Sequence, residues 1–84
     1  MIKIEQLNGK DRVAVSSICD VAGIKPYVVK QRLQKLTNNR LIEAPYQNQG
    51  ELYLDLESYV ELTNGLSLAP NIHRQIMEVF DNNY

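Results

Sequence analysis

At 84 residues the chain has room for one domain, and a chain this short buries only about 60–65% of its unfolded surface, which argues against a deep internal substrate cavity. A hydrophobic fraction of 44% is enough for a compact core and argues against wholesale disorder. Nine Lys and Arg against ten Asp and Glu leave a formal charge of −1, a total that by itself points to no polyanionic partner.

Cys19 is the single cysteine, so an intrachain disulfide framework and a multi-cysteine zinc site are both excluded. No apolar run approaches the roughly 18–20 residues that a bilayer span needs, and no signal-peptide pattern opens the sequence. The expectation is a soluble, cytoplasmic protein that makes no membrane contact.

The charges are segregated. Residues 1–40 carry eight basic groups (Lys3, Lys10, Arg12, Lys25, Lys30, Arg32, Lys35, Arg40) and three acids, net +5. Residues 41–84 carry Arg74 against seven acids, net −6. Five of the basic residues fall within 25–40, which holds no acid. A neutral chain of this kind can still project a positive field from one face.

In chain order, Ile2, Ile4 and Leu7 lie near a strand-like alternation that ends in Asn8 and Gly9, the strongest short hairpin signal. Residues 12–15 form the returning strand. Ser16 or Ser17 then caps a short helix over 17–22, which Gly23 ends. Pro26 suits the first turn of a second helix. Val29, Leu33 and Leu36 recur at i, i+4 and i+7, carrying that helix to about residue 36, where Thr37, Asn38 and Asn39 break it.

Residues 41–46 read as a strand interrupted near Pro45, and 47–50 as a polar hairpin turn. Over 51–56 the alternation places Leu52, Leu54 and Leu56 inward, with Tyr53 and Asp55 outward. A helix over 57–63 stops at Asn64 and Gly65. After Pro70, Asn71 caps a last amphipathic helix with Ile72, Ile76, Val79 and Phe80 on one side. The order β-β-α-α-β-β-α-α predicts an α+β domain spanning residues 1–84.

The stretch GIKPYVVKQRLQKLTNNRLI, residues 23–42, resembles the turn, second helix and strand entry of a winged helix-turn-helix. Cys19 stands at the family's small-residue position, Gly23 and Ile24 form the turn, and Leu41 and Ile42 enter the wing. The resemblance covers roughly residues 16–56. It implies a helix-turn-helix at 16–42 and a wing at 43–56, and the reading of the chain adds an N-terminal hairpin at 1–15 and C-terminal helices at 57–84. Lys25 stands where a Ser or Thr cap is usual, the amino-terminal hairpin replaces the family's first helix, and Gln47, Asn48 and Gln49 give the wing tip no cation.

A glycine turn lets the second helix stand clear of the first, with its outward side chains free. Those are Tyr27, Lys30, Gln31 and Gln34, flanked by Lys25 and Lys35. Lysines suit phosphates, and glutamine can bond an adenine edge through two contacts. The reading is double-stranded DNA binding by a small transcriptional regulator. Tyr27, Lys30, Gln31 and Gln34 approach the bases; Lys25, Lys35 and Arg40 take phosphates; Gln47, Asn48 and Gln49 contact the backbone from the wing.

A looser resemblance runs along the whole chain. The strand, the Asn8-Gly9-Lys10 turn, the second strand and then VSSICDVAGI are similar to the start of phage antirepressor amino-terminal domains. It implies a phage-type regulator acting on DNA or on a regulatory protein. The competing reading, motivated by the net −6 over residues 41–84 and the uncharged wing tip, is a protein-binding inhibitor or antirepressor that uses the same helix, or the acidic second half, to capture a protein partner or imitate nucleic acid.

Nothing points to catalysis. His73 lacks a partner set for nucleophilic chemistry, Cys19 reads as a small core residue, and no metal-ligand cluster or phosphate loop is present, so neither cofactor nor metal is expected. Asp55, Glu57 and Glu61 read as a solvated acidic surface. The last helix closes the core, leaving Met77 and Tyr84 at the margin for a homodimer contact.

Overall fold

Two tight turns organise the sheet. The computed structural model describes residues 2, 4–66 and 68–81. Asn8 and Gly9 hold φ of 52° and 80°, and Gln49 and Gly50 hold 52° and 79°. Positive φ at both central residues is the primed-turn geometry that matches the right-handed twist of flanking strands. The first turn joins β1 (Ile4–Leu7) to β2 (Lys10–Ala14), and the second joins β3 (Tyr46–Asn48) to β4 (Glu51–Leu54). The four strands lie antiparallel in the order β1-β2-β4-β3. With α1 (Val15–Ala22), α2 (Pro26–Asn38), α3 (Leu56–Thr63) and α4 (Pro70–Asp81), the chain is an α+β domain in the predicted order.

Register aligns Ile4 with Val13 and Val13 with Leu54, so one apolar row crosses three strands. Val13 and Leu54 are fully buried, joined by Val15, Ile18, Cys19, Val29, Leu33, Leu36, Tyr59, Leu62, Ile76 and Phe80. Each helix thus contributes at least two core side chains, and α4 closes the core through Ile76 and Phe80. Ile72, Met77 and Val79 pack on the margin, half-buried. Tyr84, a candidate partner contact, lies outside the described residues.

Several element boundaries depart from expectation, each for a local physical reason. β2 ends at Ala14, which is extended (φ −67°, ψ 137°) and itself occupies the N-cap of α1. Ser16 and Ser17 therefore sit inside the helix and cap nothing. The carboxylate of Glu51, from the start of β4, accepts instead from the Ser16 N–H at 2.9 Å. Gly23 closes α1 in the left-handed region at φ 69°, as its lack of a Cβ allows.

α2 runs on through Thr37 and Asn38. The Thr37 hydroxyl donates to the Leu33 carbonyl at 2.8 Å, and the Gln34 amide donates to the Asn38 side-chain oxygen. Arg40 then turns left-handed at φ 60°, and Leu41 N–H closes on the Leu36 carbonyl at 3.0 Å. That turn, with Pro45 unable to donate to a ladder, leaves 41–45 without strand structure, and β3 starts only at Tyr46. Gln47 and Asn48 are strand residues; the turn is Gln49 and Gly50 alone.

β4 stops at Leu54 because Asp55 caps α3, its carboxylate accepting from Ser58 N–H at 2.9 Å, and Leu56 is the first helical residue. Asp55 also pairs with Lys10 at 3.2 Å, so it is a structural group rather than a solvated surface acid. In α4 the helix begins at Pro70, and the Ala69 carbonyl accepts from Ile72 and His73. Asn71 is thus within the first turn and is not the cap.

Candidate nucleic-acid interface

Helix α2 presents one face inward and one outward. Val29, Leu33 and Leu36 are buried, which fixes the helix rigidly on the core. Tyr27, Gln31, Gln34 and Asn38 recur at helical spacing on the opposite side, and all four are exposed. Tyr27 is 59% exposed, a large aromatic ring held out to solvent by a helix whose other side is fully packed. Lys25, Lys30, Lys35 and Arg40 are likewise exposed.

The β3–β4 hairpin comes up beside this helix. A cleft of about 170 Å³ is lined by Val15, Ser16, Pro26, Lys30, Gly50, Glu51 and Leu52, which brings the hairpin turn next to Lys30 and the start of α2. Among the predicted hairpin residues, Gln47 and Gln49 are exposed and Asn48 is half-buried. The structure thus gathers Lys30 and the turn around Gly50 on one flank of α2.

Three other basic residues before residue 41 are engaged by the fold. Lys10 is paired with Asp55. Arg12 donates to the Leu7 carbonyl at 2.9 Å and lays its guanidinium over the Tyr46 ring, 4.9 Å from the centroid. Arg32, counted with the basic run but given no individual role by the sequence, packs its guanidinium on Gly65, where a Cβ would collide with it. The exposed cations of 25–40 are then Lys25, Lys30, Lys35 and Arg40. No signal local to Arg32 could have placed it against a turn more than thirty residues away.

Cys19 and His73 are engaged in packing and hydrogen bonding within the fold. Burial, then the neighbouring Asp20 and Glu51 carboxylates, push the Cys19 thiol up from its ordinary value, only partly offset by Lys30. It therefore stays a protonated core residue. His73 Nδ1 and the Tyr59 hydroxyl share a hydrogen bond at 3.0 Å, with their rings stacked at 5.7 Å. Burial raises the Tyr59 phenol to about 12. Among the described residues there is no cluster of three or more His, Cys, Asp or Glu placed to hold a metal ion, and no helix long and apolar enough to cross a membrane.

Comparison of the chain with family models, with characterised proteins and with solved structures returned no match.

Proposed function

We propose that this domain is a small, non-enzymatic DNA-binding regulator of winged-helix type, which lays α2 in the major groove of duplex DNA. The observation that carries this reading is the outward face of α2. It is long enough for three turns, free of acid, rich in amides and cations, and backed by a fully buried stripe. An α-helix of about 10–12 Å diameter fits the major groove, about 12 Å wide, and rigid backing holds its side chains in register with base edges. Tyr27, Gln31 and Gln34 face the bases. Lys25, Lys35 and Arg40 take phosphates, joined by Lys30, expected at the bases from sequence but lining the cleft beside the hairpin turn. The turn lies along the backbone as a wing. Occupancy of a control site would block or recruit another protein.

Exposed Val60 on α3, one helical turn from Glu57, supports a second reading in which the acidic half binds a regulatory protein, as an inhibitor or antirepressor. A salt titration on a mixed-sequence duplex separates the two. The DNA reading expects binding that weakens steeply with salt, through counterion release. Lys30→Ala should weaken all sequences alike, and Gln31→Ala or Gln34→Ala should relax preference at one base pair. No binding at about 50 mM salt rejects the DNA reading.

A further inference from the structure

Resting on that reading, we infer that Arg32, with Lys35, grips the DNA strand on the side of α2 away from the wing, and that Gly65 is the platform that aims it. Val28, Arg32 and Lys35 recur at i, i+4 and i+7, forming a stripe on one flank of α2. Lys30 stands on the other flank, beside the hairpin turn. The first stripe borders a groove of about 480 Å³ lined by Val28, Gln31, Arg32, Gln34, Lys35 and Leu66. A helix seated in a major groove has a phosphodiester strand on each side. The wing flank supplies one set of contacts, and this groove is placed to supply the other.

Arg32 differs from the surface lysines in being held. Its guanidinium rests on the Cα side of Gly65, in the space a Cβ would fill, and its Nε is buried with no hydrogen-bond partner among the described residues. A buried polar nitrogen ordinarily finds a hydrogen-bond acceptor. Here the groove's lining contains two cations, two amides and no acid, and the one salt bridge among the described residues joins Lys10 to Asp55. The complement is an anion brought by a partner. Arg presents a planar donor fork to phosphate, and a fork already fixed by packing loses less freedom on binding.

The test is anisotropy of a labelled 20-bp duplex between about 50 and 200 mM salt, run on the whole chain, with thermal melts of each variant. Removing one phosphate contact lowers the slope of log affinity against log salt by about 0.9, so Arg32→Ala should lose roughly three- to fourfold less affinity over that range than the parent. Arg32→Lys should keep most of the slope. Gly65→Ala, which puts a methyl group in the guanidinium's place, should weaken binding in the parent but not in the Arg32→Ala background. That non-additivity would not arise if Arg32 served only the fold. If the parent binds and Arg32→Ala or Gly65→Ala leaves the slope unchanged, this inference is overturned and the DNA reading stands. Absence of binding by the parent overturns both.

Discussion

The Glu51 carboxylate accepts a hydrogen bond from the backbone N–H of Ser16 at 2.9 Å, so the first residue of β4 closes the open end of α1. A helix N-terminus leaves its first N–H groups unpartnered and carries partial positive charge, and both are answered here by a side chain 35 residues away. The bond also ties the β3–β4 turn to α1. Glu51→Ala should lose about 1 kcal/mol, within the 0.5–2 kcal/mol range for caps, and Glu51→Gln should lose less because it keeps the acceptor. Urea denaturation at neutral pH measures both, and equal losses would show that the hydrogen bond contributes little.

Arg40 and Gln49 hold left-handed backbone, at φ 60° and 52°, where glycine or asparagine is more at ease. Arg40→Gly should raise stability by about 0.5–1 kcal/mol. If the proposed interface is right, it also removes a positive charge there and weakens duplex binding for all sequences alike. Gln49→Asn recreates the turn formed by Asn8 and Gly9 and should stabilise by a few tenths of a kcal/mol, about 0.5 at most. Melting temperatures and duplex binding on the same samples test these changes together. A destabilised Arg40→Gly would mean that its side chain contributes packing that outweighs the backbone gain.

The pH dependence of stability should report on Asp55. Burial works to raise this carboxyl, but the hydrogen bonds from Ser58 and the contact with Lys10 outweigh it and hold it below its ordinary value of 3.8. A lowered folded value means that the unfolded chain binds the proton more readily. The contribution is fully present above the unfolded value and is lost as pH falls through the lowered folded one. Asp55→Asn retains a good capping side chain but cannot titrate. Its stability should therefore fall less steeply than the parent's in acid below about pH 4, as followed by urea midpoints. Parallel acid profiles would remove Asp55 as the source.

The hydrogen bond between Tyr59 and His73 predicts an asymmetry. Tyr59 is fully buried. Tyr59→Phe removes the buried hydroxyl together with its bond and should cost about 1 kcal/mol, whereas His73→Ala strands that hydroxyl and opens space, costing about 1–3 kcal/mol. The double variant should be less unstable than the sum of the two. Additive losses in denaturant unfolding would show that the two side chains act independently.

What the sequence made legible was local. Asn8 and Gly9, Gly23, and the stripe of Val29, Leu33 and Leu36 each carry their signal within a few residues, and each stands where expected. The misses came from competition over distance or between neighbouring signals. The serines near α1 looked like caps because the Glu51 carboxylate could not be foreseen from so far along the chain. Leu56 continued the alternation of β4, yet Asp55 capping Ser58 N–H turned it into a helix start. Leu41 and Ile42 looked strand-like, but Arg40 in the left-handed region and Pro45 together delayed β3. On the proposed interface the exposed residues of α2 were readable from periodicity. Arg32 was not, because its position depends on Gly65.

Ala14 is at once the last residue of β2 and the cap of α1, so no connector separates sheet from helix. Each helical residue advances the chain by about 100°. One residue inserted at this junction would swing Val15, Ile18 and Cys19 away from the core, and one deleted would swing them the opposite way. The spacing between the first hairpin and the helix pair is thus as tightly constrained as the identity of any buried side chain. A circular permutant or grafted version of this domain must keep that joint intact, and the chain is better opened in the irregular stretch at 43–45.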